Sequence, residues 1–131
     1  TKINYFENSM FHRVVKDFII QGGNSDNINI SKKRKKIGRY LLPPDTDKGH
    51  NHKRGVISMP SSKIDNPHKM ASPYEFFIVQ QSPGAHHLDG SYTAFGEVIS
   101  GMDVVDKINS QPTDKKEMPR ENIYLKTIIM E

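Results

Sequence analysis

The 131-residue sequence contains no cysteine and no tryptophan. Without cysteine there is no structural disulfide and no thiolate metal site, and the redox compartment stays open. No apolar run approaches the roughly 20 residues that a membrane-spanning helix requires, and no signal peptide is visible. Aromatic residues make up only 8% of the chain and mean hydropathy is −0.67. Such a balance suits a small, loop-rich enzyme or binding module better than a large core. The length suits one domain that needs no covalent staple. A start at Thr1 rather than Met is expected of a processed or trimmed chain. It leaves targeting open, with cell envelope, periplasm or cytoplasm all permitted.

The net charge of +4 is a local property. Lys32-Lys33-Arg34-Lys35-Lys36 places five cations in a row, and the rest of the chain carries −1. No aromatic residues interleave with the run, so a solvated loop is expected there rather than a nucleic-acid surface. His50, His52, His86 and His87 match no metal-ligand template, so they too are expected to be solvated, and no metal or other cofactor is implied. His12 is expected to be structural, its ring satisfied by backbone groups.

The informative stretch is Phe11-His12-Arg13-Val14-Val15-Lys16-Asp17-Phe18-Ile19-Ile20-Gln21-Gly22-Gly23. It reads as two apolar strands, 10–15 and 18–21, around a Lys16-Asp17 turn, with a double-glycine exit. A cation, an aromatic and an amide (Arg13, Phe18 and Gln21) on β-type segments suit a floor that grips an apolar group and a peptide backbone together. Further strands are expected over 55–59, stopped by Pro60, over 76–79, and over 92–99. Leu88-Asp89-Gly90-Ser91 reads as a hairpin-style turn. A helix fits 100–109, with Ser100 as N-cap, Asp103 in the first turn and Met102, Val105 and Ile108 on one face. Residues 111–121 read as a polar linker, and the alternation of Ile123, Leu125, Thr127 and Ile129 as a closing strand. A short edge strand is possible over 37–42. The tally predicts a mostly β, antiparallel barrel or sandwich with one helix, and no internal repeat.

In this order, these blocks resemble the cyclophilins, a family of peptidyl-prolyl cis-trans isomerases. The similarity rests on Phe11-His12-Arg13 with Phe18 and Gln21-Gly22-Gly23, on Gly55-Val56-Ile57-Ser58-Met59, and on Phe76-Phe77-Ile78. Leu88-Asp89-Gly90, Phe95-Gly96-Glu97-Val98 and the 101–108 segment extend it over nearly the whole chain. The long loops and Asn66-Pro67 look more like bacterial members. The resemblance implies a closed antiparallel β-barrel with a capping helix. The family's first two strands and first helix would precede Tyr5, so this single domain, 1–131, is expected to be N-terminally incomplete.

The resemblance also implies a site. Arg13 and Gln21 would be catalytic, and Phe18, Ile19, Phe77 and Leu88 would form the pocket for the substrate's proline ring. Ser61, Glu75, His87 and Tyr92 would complete the substrate-binding set. The implied partners are proline-containing peptides and unfolded proteins, with no specific nucleic acid. Rotation about a peptide bond is opposed by a barrier of roughly 18–20 kcal/mol because resonance stiffens C–N. For X–Pro the two isomers lie within about 0.5–1 kcal/mol and interconvert slowly. Catalysis therefore needs tighter binding of the twisted state, and needs no nucleophile or metal. An Arg13 hydrogen bond to the prolyl nitrogen would supply it, because that nitrogen accepts well only out of conjugation.

Three departures from the family pattern carry expectations. Glu75, where glutamine is usual, is expected to lock Arg13 in an ion pair and restrain it. Pro60-Ser61 removes an N–H from the segment that pairs with bound peptide. His87 implies weak binding of cyclosporin. The alternative to an isomerase is a catalytically weakened proline-peptide binding or chaperone module of the same fold.

Overall fold

The computed structural model describes residues 5–23, 41–61 and 70–130. Six strands form one antiparallel sheet: β1 (Ser9–Val15), β2 (Ile19–Gly23), β3 (Val56–Met59), β4 (Glu75–Val79), β5 (Thr93–Glu97) and β6 (Tyr124–Leu125). Their order across the sheet is β5-β3-β4-β2-β1-β6. Among the described residues β5 and β6 end the ladder and do not pair with each other. One α-helix, α1 (Met102–Asn109), and a 3₁₀ turn (His86–Leu88) complete the regular structure. Among the described residues no helix is long and apolar enough to cross a membrane.

The uninterrupted apolar runs in β2 and β4 follow from burial on both faces of the sheet. Adjacent residues in a strand point to opposite faces. Ile19, Phe77 and Val79 accordingly join Ala85 and Leu88 in one core cluster. Ile20 and Ile78 point the other way and join Val14 and Val105 in a second. Helix α1 covers the second cluster with Val105, Met102 and Ile108, so the first face is left for the site.

The β1–β2 hairpin turns where the sequence predicts, with Asp17 at φ 56, a left-handed position that aspartate tolerates. Asn109, at the end of α1, ties this turn down. Its amide donates to the carbonyls of Val15 (2.8 Å) and Ile19 (3.2 Å), and its oxygen accepts from the backbone N–H of Asp17 (2.9 Å). The second glycine of the pair is sterically required. A Cβ at Gly23, where φ is +105°, would sit 2.6 Å from the carbonyl oxygen of Tyr74.

Three elements differ from the sequence reading. Gly101, at φ 97, is the N-cap of α1 in place of Ser100, and no side chain caps the helix. The closing strand shrinks to two residues, Tyr124 and Leu125, opposite Met10 and Ser9. An antiparallel continuation to Ile129 would pair with residues 5–8, which form a turn, so the alternating pattern has no partner there. The 88–91 segment is a turn as expected but joins no hairpin, because β5 pairs with β3 and Leu88 closes the 3₁₀ turn. Of the expected 37–42 strand, Leu42 makes an isolated bridge to Ala71 and 37–40 lie outside the described residues. The basic run and Asn66-Pro67 also lie outside them.

Candidate active site

Cross-strand register builds the site as one row on one face of the sheet. Arg13 on β1 faces Gln21 on β2, Gln21 faces Phe77 on β4, and Phe77 faces Ser58 on β3. Directly opposed residues share a face, so the cation, the amide and the aromatic converge without any loop rearrangement. A β-bulge between Phe11 and Arg13 adds a fourth group. In a regular strand His12 would point away from Arg13, but the bulge re-aims it. Its side chain then reaches Glu75, while Arg13 reaches Gln21.

The polar end of the row is a chain of contacts. Arg13 Nη1 donates to Gln21 Oε1 at 3.3 Å, and Gln21 Nε2 donates to Glu75 Oε1 at 3.3 Å. Arginine only donates and a carboxylate only accepts, so the amide has one orientation that serves both. Glu75 Oε1 also lies 3.0 Å from His12 Nε2. The expected Glu75–Arg13 ion pair is therefore absent among the described residues: Glu75, buried at 5% exposure, spends its carboxylate on His12 and Gln21. The same contact corrects the reading of His12, whose ring partner is a carboxylate and not backbone.

The carboxylate that does clamp Arg13 is Glu117. Its Oε1 accepts from Arg13 Nε at 3.3 Å and lies 3.2 Å from Nη2. This residue sits in the stretch read from sequence as a linker, 104 positions from Arg13. No local pattern signals it.

The apolar end gathers the expected pocket residues. Ile19, Phe77 and Leu88 are buried together, with Phe18 and Tyr92 packed against them. Phe77 meets Tyr92 edge-on, with centroids 5.9 Å apart, and Phe18 lies 5.2 Å from His87. Ile19 and Phe77 are each 3% exposed, so they underlie the pocket, while half-buried Phe18 and Tyr92 and exposed His87 form its sides. Ser61 lies elsewhere, two residues past β3 in a bridge to Ala71. Pro60 is buried, and its carbonyl accepts from Ser72 N–H. Cavities of about 410 and 580 Å³ also occur, but none of the expected site residues lines either.

Behind Phe77 lies a network that the sequence reading missed. His52, expected to be solvated, is 0% exposed and stacks on Phe77 at 6.1 Å and 17°. Its Nε2 lies 3.0 Å from Ser58 Oγ and its Nδ1 2.9 Å from Asp89 Oδ1. Asp89 Oδ1 also accepts the backbone N–H of His52 at 2.6 Å, and Oδ2 lies 2.9 Å from His86 Nδ1. The His52 backbone N–H is the main reason the Asp89 carboxyl is lowered to about 2, against an opposing cost of burial; the two histidine side chains lower it further. Ser, His and Asp in this order resemble a nucleophile relay. Ser58 is 0% exposed, so no substrate reaches its hydroxyl, and the network serves as a brace. It joins the 3₁₀ turn carrying His87 and Leu88 to β3 through Ser58, with the His52 ring packed on Phe77 of β4. Among the described residues no three His, Cys, Asp or Glu side chains are placed to hold a metal ion.

The family model described as cyclophilin type peptidyl-prolyl cis-trans isomerase/CLD matches residues 1–129. The chain is 37% identical over 130 residues to peptidyl-prolyl cis-trans isomerase-like 2 of Rhizopus delemar, covering 98% of this chain and 23% of that protein. It is 34% identical over 127 residues to peptidyl-prolyl cis-trans isomerase-like 3 of Dictyostelium discoideum, covering 95% and 73%. A crystal structure of a Cryptosporidium parvum cyclophilin type peptidyl-prolyl cis-trans isomerase, in the presence of the dipeptide Ala-Pro, superposes with a TM-score of 0.75 at 28% identity. It covers 99% of this chain and 78% of that one. The chain spans about a quarter of the first relative and about three-quarters of the second. Its blocks, its sheet and the match along almost its full length agree: the chain belongs to the cyclophilin-type peptidyl-prolyl cis-trans isomerase family.

Proposed function

We propose that this chain accelerates cis–trans rotation about X–Pro bonds in flexible or unfolded polypeptides, with Arg13 as the catalytic donor. The carrying observation is the single sheet row in which Gln21 holds Arg13 beside Phe77. The proline ring packs into the groove of Phe18, Phe77, Leu88 and Tyr92, and His87 borders it. A guanidinium has five N–H groups. The contacts to Gln21 and Glu117 account for three of them among the described residues, and the remaining two face the substrate. As the peptide bond twists, the prolyl nitrogen leaves conjugation and becomes a hydrogen-bond acceptor. The donor then binds the twisted state more tightly than either planar one. His87, on the exposed rim, makes cyclosporin a weak ligand.

A second reading, a proline-peptide binding module with blunted catalysis, is favoured by Pro60. That residue has no N–H, and its carbonyl is taken by Ser72. A protease-coupled assay on a proline tetrapeptide separates the two. Acceleration supports the isomerase; measurable binding with no acceleration supports the module.

A further inference from the structure

We propose that Glu117 is a positioning residue for Arg13, holding the guanidinium from the solvent side so that its terminal N–H edge meets the substrate. The inference rests on the reading of Arg13 as the catalytic donor and adds a second control over it. Gln21 takes one N–H of Nη1, and Glu117 takes the Nε–Nη2 side. Two partners on different edges fix a planar fork, whereas one partner leaves it free to swing.

The loop that delivers Glu117 is built for this task. Asp114 Oδ1 accepts the backbone N–H groups of Lys116 (2.8 Å) and Met118 (3.0 Å). Asp114 N–H donates to Met118 O, and Glu117 N–H donates to Asp114 O. Thr113 and Pro119 close the base as a bridge. The Glu117 carbonyl accepts the N–H of Val14 at 2.8 Å, so the loop is hydrogen-bonded to β1 immediately after Arg13. Glu117 itself sits at φ 64, an unfavourable left-handed position for a residue with a long side chain. Strained residues persist where their surroundings hold them and concentrate at functional sites. Here the backbone contacts supply the holding, and the strain sets the side chain on Arg13.

Both side chains are partly exposed, at 40% and 43%, and exposed ion pairs add little to stability. The effect is therefore expected in turnover and not in folding. Glu117→Gln should lower kcat roughly five- to twentyfold, the scale of a mispositioned donor. KM should stay within about twofold, because the apolar pocket is untouched, and the melting temperature should hardly move. Added salt should lower wild-type turnover toward that of the variant, since it screens the pair. In an Arg13→Ala background the same substitution should change kcat less than about twofold, because coupled residues are not additive.

Turnover is read by NMR exchange on a proline peptide. The ¹H–¹⁵N signal of Arg13 Nε gives an activity-free check: resolved in the wild type and exchange-broadened in Glu117→Gln. Wild-type kcat in Glu117→Gln, or an equal loss in both backgrounds, overturns the proposal while leaving Arg13 catalytic. Full activity in Arg13→Ala overturns the underlying reading and the proposal with it. A wild type without turnover removes the isomerase reading alone, and the Arg13 signal then decides whether Glu117 holds the guanidinium.

Discussion

Replacing Asp89 with asparagine keeps the shape of the residue and removes its charge. The amide oxygen still accepts from the backbone and ring of His52, so the change isolates the charge-assisted part of the brace behind Phe77. Its size follows from the carboxyl's fall from 3.8 to about 2. At 1.36 kcal/mol per pH unit that fall is worth roughly 2.4 kcal/mol. The side chain is 27% exposed, and solvent screening reduces the figure to about 1–2 kcal/mol. The sign is fixed by linkage: the folded carboxyl binds its proton less readily than the unfolded one. The stabilisation is therefore complete above about pH 4 and is lost as pH falls toward 2. Urea unfolding at pH 7 should show Asp89→Asn weaker by about 1–2 kcal/mol, with a melting temperature lower by about 3–10 °C. The gap should narrow through pH 3 and close at about pH 2. A constant gap from pH 7 to pH 2 would refute the assignment of this stability to the Asp89 charge.

Two further substitutions test the positioning of the groove. Asn109→Ala strips the three hydrogen bonds that close the β1–β2 turn and should cost about 1–3 kcal/mol. It should also raise KM, since Phe18 and Ile19 follow that turn; a thermal melt and a substrate titration read both, and an unchanged KM would detach the turn from the groove. Glu75→Gln should alter turnover less than about threefold, because among the described residues Glu75 reaches Arg13 through Gln21 and indirect coupling is weak. A tenfold rise in the peptide assay would instead restore a direct restraint on Arg13.

The parts of this molecule legible from sequence are those whose physics is local or repeated. The β1–β2 hairpin, β3, β4 and α1 each carry their own period or breaker residues. The residues that depend on distant partners were not legible. Glu117 meets Arg13 across 104 positions from a segment with no apolar pattern. Its loop is shaped by Asp114 hydrogen bonds that leave no periodic trace. His52 and Asp89 looked like loop residues, because one histidine in a polar stretch does not reveal that its ring will pack under an aromatic. Glu75 meets His12 and Gln21 instead of the expected Arg13. The bulge that turns His12 toward Glu75 is a backbone feature, invisible in side-chain alternation. The closing strand failed for the opposite reason: its pattern was clear, and its partner was a turn.

The most direct test of the whole account is Arg13→Ala, assayed on a proline peptide by exchange NMR alongside a circular dichroism melt. Arg13 lies at the half-exposed end of the sheet row, so the fold should be retained. Loss of a preorganised donor to a developing acceptor should lower turnover by about 10²–10³. Such a loss in a protein that melts as the wild type does is the result predicted here. Near-wild-type turnover in that folded variant would contradict it and place the chemistry on another residue.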